Sequence, residues 1–287
     1  MRWQRSKAAV LRRLVARGSV VMPGVSNGAV ALQAEAAGFE ALYVSGAGLA
    51  NSAGLPDISL LSLTEIAQLA GYIARAVTIP AIVDGDTGFG GPANTARAVQ
   101  EFERAGLAGM HMEDQTFPKR CGHLGGKELV STGEMVEKIR AAVAARDNPD
   151  FLIIARTDAR AVEGFDGAVE RAQLYLKAGA DAIFPEALET AGEFRRFAKS
   201  IKSPLLANMT EFGKSPLLSA RQLQRMGYRM VIFPMTAFRI SMQATEACLV
   251  HLKKHGTQRQ LLERMQTREE LYHLLRYDPA GKKWPVF

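Results

Sequence analysis

The segment Asp84-Gly85-Asp86-Thr87-Gly88 places two carboxylates one residue apart in a glycine-rich turn. Oxygen donors at that spacing suit a hard cation that keeps several waters, which describes Mg²⁺. Glu113 and Asp114 could complete its shell. Other signatures fail on chemistry. A Ca²⁺ loop needs Glu at its twelfth position, where Thr95 stands. Gly88, Gly90 and Ala93 imitate a dinucleotide fingerprint, but two adjacent aspartates would repel a pyrophosphate. Gly213-Lys214-Ser215 is no phosphate loop, because Asn208 replaces the required earlier glycine. The plain structural alternative is a helix-capping aspartate and a turn.

A second group, Lys119-Arg120-Cys121-Gly122-His123 followed by Gly125-Gly126-Lys127, lies in a long connection over 115–130. Connections of that length in compact domains are usually functional, and a glycine-rich one suits a lid. Neighbouring cations and a histidine would bias Cys121 towards thiolate. A thiol with its ordinary pKa of about 8.5 can equally donate a proton at neutral pH. Cys248 falls in an apolar helical pattern and reads as core. His111 alternates with Glu113 and points inward, as a site residue or as a satisfied core histidine. His251, His255 and His273 read as surface or tail residues.

The elements that must position these groups alternate along the chain. Short β-rich runs occur at 19–25, 41–46, 80–84, 109–113, 151–157, 181–186, 204–209 and 230–234. Helical patterns lie near 28–38, 64–77, 92–106, 131–146, 166–179, 190–201, 219–227 and 236–255. Three helices end in an Ala-Gly pair, at Gly38, Gly106 and Gly179, where glycine turns the chain back towards the next strand. Eight strand–helix units predict a (β/α)₈ TIM barrel, with a doubly wound sheet as the main rival. One domain is expected over 1–287, with an N-terminal helix over 1–18 and a helical tail over 257–287.

In such a barrel the active site lies at the C-terminal ends of the strands. Where the apolar runs end stand Ser45, Asp84, Asp86, Glu113, Asp114, Arg156, Asp158, Glu186, Asn208, Thr210 and Glu211. Nearly every strand delivers polar groups to one rim, which points to an enzyme.

Composition narrows the class. Of 287 residues, 47% are hydrophobic, yet no run nears the ~18 apolar residues of a membrane span, so no membrane partner is expected. Two cysteines are too few for a disulfide framework, which favours a reducing, cytoplasmic setting. The net charge of +7 first suggests nucleic acid. Six of those charges, Arg2, Arg5, Lys7, Arg12, Arg13 and Arg17, precede the first acid, Glu35. An organellar transit peptide and a basic arm are possible readings; a solvated helix capping the fold is preferred, and no nucleic acid partner is expected.

The ordered set Tyr43-Val-Ser-Gly-Ala47, Gly54-Leu-Pro-Asp57, Asp84-Gly-Asp-Thr-Gly88, Glu113-Asp114-Gln115, Lys119-Arg-Cys-Gly-His123, Ala155-Arg-Thr-Asp158, Phe184-Pro-Glu186 and Asn208-Met-Thr-Glu-Phe212 resembles the isocitrate lyase family of the phosphoenolpyruvate mutase superfamily. The resemblance covers almost the whole chain. It implies Mg²⁺ on Asp84 and Asp86, with Glu113 assisting through water. It implies a homotetramer in which the last barrel helix is exchanged between subunits. The activity implied is cleavage of (2S,3R)-2-methylisocitrate, a small tricarboxylate, to pyruvate and succinate. Cys121 would be the acid, with Lys119, His123 and Arg156 in the catalytic group and Tyr43 the hydroxyl-side base or its relay. Substrate contacts implied are Ser45, Gly46, Ala47, Asp57, Gly122, Arg156, Glu186, Asn208, Met209, Thr210, Arg239 and Arg268.

Departures from the family pattern bear on substrate. Ala47 stands where a second glycine is frequent, which narrows the pocket slightly. Leu124-Gly-Gly-Lys127 also resembles lyases acting on isocitrate itself, whereas the short chain and Phe184-Pro185 do not. One methyl group discriminates by only about 1–3 kcal/mol, so 2,3-dimethylmalate and isocitrate remain alternative substrates. A non-catalytic basic binding protein is the alternative of another class.

Overall fold

In the computed structural model, residues 6–279 and 281 are described. Eight parallel strands form in chain order: β1 Val20–Val25, β2 Leu42–Val44, β3 Ala81–Asp84, β4 Gly109–Glu113, β5 Leu152–Thr157, β6 Ala182–Pro185, β7 Leu206–Asn208 and β8 Met230–Phe233. Their spatial order, β6-β5-β4-β3-β2-β1-β8-β7, never reverses direction, so there is no switch point of a doubly wound sheet. The last gap is closed by a parallel bridge between Ile183 and Leu205, with Ile183 N–H donating to Pro204 O at 3.1 Å. The sheet is thus a barrel. All eight expected helical patterns are helices in the structure. Gly38, Gly106 and Gly179 have φ of 88°, 90° and 109°, the left-handed turn expected after each helix.

Strand side chains alternate, and the barrel uses that alternation to make two cores. Val44, Val83, Met110, Ile153, Ile183 and Val231 face outward, under the helices. Met22, Tyr43, Ile82, Ile154, Phe184, Leu206 and Ile232 face inward. Continuing the inward row by two residues gives Ser45, Asp84, Arg156, Glu186 and Asn208. Local geometry therefore decides that these side chains point into the barrel mouth.

The opposite end is plugged. Ser6 caps the helix Lys7–Arg17, whose Ala8, Leu11 and Val15 pack on Val20, Ala41, Ala108, Leu152 and Met230. Its cations dock it. Lys7 Nζ reaches the carbonyls of Ala74 and Val77, Arg12 binds Asp181 at 2.9 Å and the carbonyl of Asp150, and Arg17 pairs with Glu40 at 2.7 Å. This helix is a stopper rather than a solvated cap. Arg2 and Arg5 lie outside the described residues.

The helix Thr236–His255 behaves differently from the others. It buries none of its residues, and Ile240, Met242, Leu249 and Val250 are each more than half exposed. Cys248, expected in the core, is only half-buried there. In the tail, short helical stretches form at Arg259–Arg264 and Arg268–Leu274; the latter packs on Gly28–Ala36. Among the described residues, no helix is long and apolar enough to cross a membrane.

Candidate active site

The metal-ligand candidates meet at the mouth between β2, β3 and β4. Asp84 ends β3, and its Oδ1 accepts the Asp86 N–H at 3.0 Å. Asp86 adopts φ 51°, which turns its carboxylate back towards Ser59 Oγ at 2.8 Å. Gly46 has no side chain to spare here: a Cβ would stand 2.8 Å from Asp84 Oδ2. Ser45 caps the short helix Gly46–Ser52 through a 3.1 Å bond from Gly48 N–H, which leaves the first N–H groups, those of Gly46 and Ala47, without helical partners.

Glu113, at the end of β4, is fully buried, and neither of its carboxylate oxygens has a hydrogen-bond partner. Arg156 Nη1 approaches Oε2 at 2.9 Å without hydrogen-bond alignment. Burial pushes the Glu113 carboxyl well above its ordinary range, despite Arg156 and Lys119 nearby. Around it, Asp57, Asp84, Asp86, Asp158 and Glu186 add five carboxylates, against Lys119, Lys127 and Arg156. This excess of acid is what a divalent cation would relieve. Among the described residues no three acidic, histidine or cysteine groups form a complete direct shell. Asp84 and Asp86, joined by the Asp86 N–H to Asp84 Oδ1 bond, offer the carboxylate oxygens that Mg²⁺ takes together with water. The donor set fits Mg²⁺.

Tyr43 hydroxyl lies 2.9 Å from His111 Nε2 and 3.3 Å from Asp84 Oδ2. Burial first, then the Asp84 charge, raises the Tyr43 hydroxyl well above its ordinary value, so it stands as a phenol. Burial lowers His111 to about 4, so it is neutral at pH 7. Burial alone would raise Asp84, but the attraction of its neighbours holds it well below the carboxylate range. With His111 neutral, Lys119 and Arg156 supply that charge. His111 is buried but is not a satisfied core histidine: among the described residues its Nδ1 has no hydrogen-bond partner, while its Nε2 meets Tyr43.

Arg156 spans the centre. It reaches Glu113, Asp158 Oδ2 at 2.9 Å and Glu186 at 3.4 Å, and its guanidinium lies 5.2 Å from the Phe184 ring centroid. Asn208 Nδ2 donates to Glu186 at 3.2 Å, and Asn208 Oδ1 accepts the Thr210 N–H at 3.0 Å.

The 115–130 connection folds over this mouth. A bridge between Gln115 and Leu129 closes its base. Lys119, almost fully buried, reaches Asp57 at 2.9 Å and Asp86 at 3.9 Å. His123 Nε2 lies 3.1 Å from Glu186, and its Nδ1 accepts the Lys214 N–H at 3.0 Å. Lys119 and His123, on either side of Cys121 in sequence, thus face carboxylates.

Three expected contacts stand apart. Met209 buries its side chain in the outer core, so only its main chain faces the rim. Arg239 sits at the edge, 3.7 Å from Glu211 and 5.2 Å from the Phe212 ring centroid. Arg268 opens the tail helix that packs on Gly28–Ala36, and among the described residues it forms no ion pair with the mouth. The structure adds Ser59, Lys127 and Asp158 to the cluster. Asp158 was legible as a strand-end acid. Ser59 and Lys127 lie in irregular connections and carry no periodic signal.

The profile of the phosphoenolpyruvate phosphomutase family matches residues 11–253. The chain is 55% identical to a 2-methylisocitrate lyase of Aeropyrum pernix over 96% of this chain and 89% of that one. The crystal structure of a 2,3-dimethylmalate lyase superposes with a TM-score of 0.90 at 37% identity, covering 95% and 92% of the two chains. A phosphonopyruvate hydrolase crystallised with oxalate and Mg²⁺ superposes at 0.86, 34% identical, over 94% and 95%.

Proposed function

The chain belongs to the phosphoenolpyruvate mutase family, and we propose that it is a Mg²⁺-dependent carbon–carbon lyase cleaving (2S,3R)-2-methylisocitrate to pyruvate and succinate. The observation that carries this reading is a lid whose Gly122, next to Cys121, closes against Arg156 beside a paired-aspartate cation site, in a chain 55% identical to a 2-methylisocitrate lyase. Asp84 and Asp86 would hold the ion, with Glu113 reaching it through water. Bound there, Mg²⁺ supplies positive charge to the hydroxy-acid end of the substrate.

The chain's own residues do the rest. Tyr43, a phenol between His111 and Asp84, relays the proton leaving the tertiary hydroxyl by passing its own to the neutral His111 at Nε2, 2.9 Å away. As the C2–C3 bond breaks, C2 becomes the keto carbon of pyruvate and the electron pair stays on the succinate carbon. Arg156 opposes that developing charge. Cys121, brought over the mouth by the lid, donates its thiol proton to the carbon. Lys119 and His123 hold the lid against Asp57, Asp86 and Glu186. Ser45, Gly46, Ala47, Gly122, Asn208 and Thr210 line the mouth as substrate contacts.

The unburied helix Thr236–His255 supports a helix-exchanged homotetramer, with its apolar side chains covered by a neighbouring subunit. Two free cysteines suit a cytoplasmic enzyme of the methylcitrate route of propionate breakdown.

The test is turnover of methylisocitrate, isocitrate and 2,3-dimethylmalate side by side, with Mg²⁺, with chelator, and with Cys121→Ser. Methylisocitrate should be preferred, and activity should vanish with chelator and with Cys121→Ser. Cleavage of none of the three sinks the reading. The close superposition on a 2,3-dimethylmalate lyase favours that substrate as the second reading.

A further inference from the structure

Lys127 is an ammonium with almost no access to water: its side chain is 1% exposed. An isolated buried charge costs several kcal/mol, so its partners explain its presence. It has two. Nζ donates to Gly122 O at 2.5 Å and to Asp158 Oδ1 at 2.6 Å. The first partner belongs to the lid tip, next to Cys121; the second belongs to the barrel, at the end of β5.

Both partners are themselves fixed. Asp158 takes Arg156 Nε on Oδ2 at 2.9 Å and Nη2 on Oδ1 at 3.3 Å, while its own N–H is bonded to Asp114 at 2.9 Å. On the other side of Cys121, the Gln115 amide binds Arg120 twice, accepting its N–H and donating to its O, each at 2.9 Å. Cys121 is therefore bracketed, with Arg120 held to the lid base and Gly122 held to the barrel through Lys127. No other side chain of the lid bonds the main chain of the tip and a barrel carboxylate together, among the described residues.

We propose that Lys127 is a positioning residue for the acid step, a latch that holds the main chain beside Cys121 against Arg156 by tying the Gly122 carbonyl to Asp158. This rests on the lyase reading in assigning Cys121 its proton. When the tip of the lid lifts, the Gly122 carbonyl leaves Lys127, and the ammonium keeps Asp158. Closure is thus rewarded at one carbonyl beside the reacting sulfur. A displacement of about 1 Å at a reacting group costs roughly 10²-fold in rate, which sets the expected size.

The experiment compares wild type, Lys127→Met and Lys127→Gln in the full-length protein. Steady-state kinetics are run with Mg²⁺ and methylisocitrate. Independently of turnover, trypsin cleavage after Arg120 and alkylation of Cys121 by iodoacetamide report lid opening, and thermal unfolding reports the fold. Lys127→Met should lower kcat by roughly 10²-fold with KM within a few-fold, and should speed both lid reactions about tenfold or more. Lys127→Gln, which keeps a neutral amide donor, should fall between; it carries the test if Lys127→Met does not fold. Wild-type kcat in the variants overturns the proposal. So does a lowered kcat with unchanged cleavage and alkylation, because Lys127 would then act through Asp158 alone. If wild type cleaves none of the substrates, the lyase reading fails, while the two lid reactions still decide whether Lys127 holds the tip.

Discussion

The main chain of Gly122 lies against the guanidinium of Arg156: a Cβ built on Gly122 would stand 2.5 Å from Arg156 Nη2 and 2.5 Å from Glu186 Cγ. The lid can close only because this residue has no side chain. Gly122→Ala should therefore leave the barrel folded but hold the lid off Arg156. We expect kcat to drop by roughly 10²-fold with a thermal midpoint close to wild type. An alanine variant with full activity would mean that the closed lid is not the working state.

Asp86 holds one of the two carboxylates at the cation site, and its neighbours Ser59 and Thr87 already donate to it. Asp86→Asn keeps the size and removes the charge. Mg²⁺ binding measured by calorimetry should weaken by at least tenfold, and activity should return only at raised Mg²⁺. Unchanged Mg²⁺ affinity would remove Asp86 from the ligand set.

Leu11 is fully buried in the stopper helix, at the end of the barrel away from the lid. Leu11→Ala should cost about 2–5 kcal/mol in urea unfolding, through lost burial and a cavity. With kcat near that of wild type at 25 °C, the effect would be assigned to stability alone. A loss below 1 kcal/mol would show that the stopper does not hold the barrel.

Glu35 ties the tail to the barrel. Its carboxylate accepts from the Thr78 N–H at 2.7 Å and from the Thr78 hydroxyl, and pairs with Arg276 at 2.6 Å. Burial would raise its pKa, but these donors outweigh burial and hold it below the ordinary 4.5. A depressed folded pKa means stability that is complete above the unfolded value and is lost as pH falls through the folded one. Wild type should exceed Glu35→Gln in thermal midpoint at pH 7, and the gap should close below about pH 4. A gap that is constant from pH 7 to pH 3 would contradict this.

Much of the barrel is legible in sequence because its signals are local. Each strand is a short apolar run, several helices end at a glycine such as Gly106, and alternation by two carries Ile154 to Arg156 and Phe184 to Glu186. The rim acids could be named for that reason. Elements without periodicity were missed. The helix Gly46–Ser52 is short and glycine-rich, and nothing in its pattern distinguishes it from a turn. Met209 illustrates the opposite failure: it lies in a recognisable motif, yet the same alternation turns its side chain into the outer core.

Charge shows the division most plainly. The sequence by itself determined that six cations cluster before Glu35, that the strand ends are acidic, and that a lid carries Cys121. Only the tertiary structure decided what those charges meet. The basic helix docks on carbonyls at the barrel floor, and Glu113 is left buried without a hydrogen-bond donor. Lys127 finds Asp158 thirty-one residues away in the chain. Alternation is set by neighbouring peptide units, so sequence reports it. A contact between a loop and a distant strand end depends on how the whole barrel closes, and no local pattern encodes that distance.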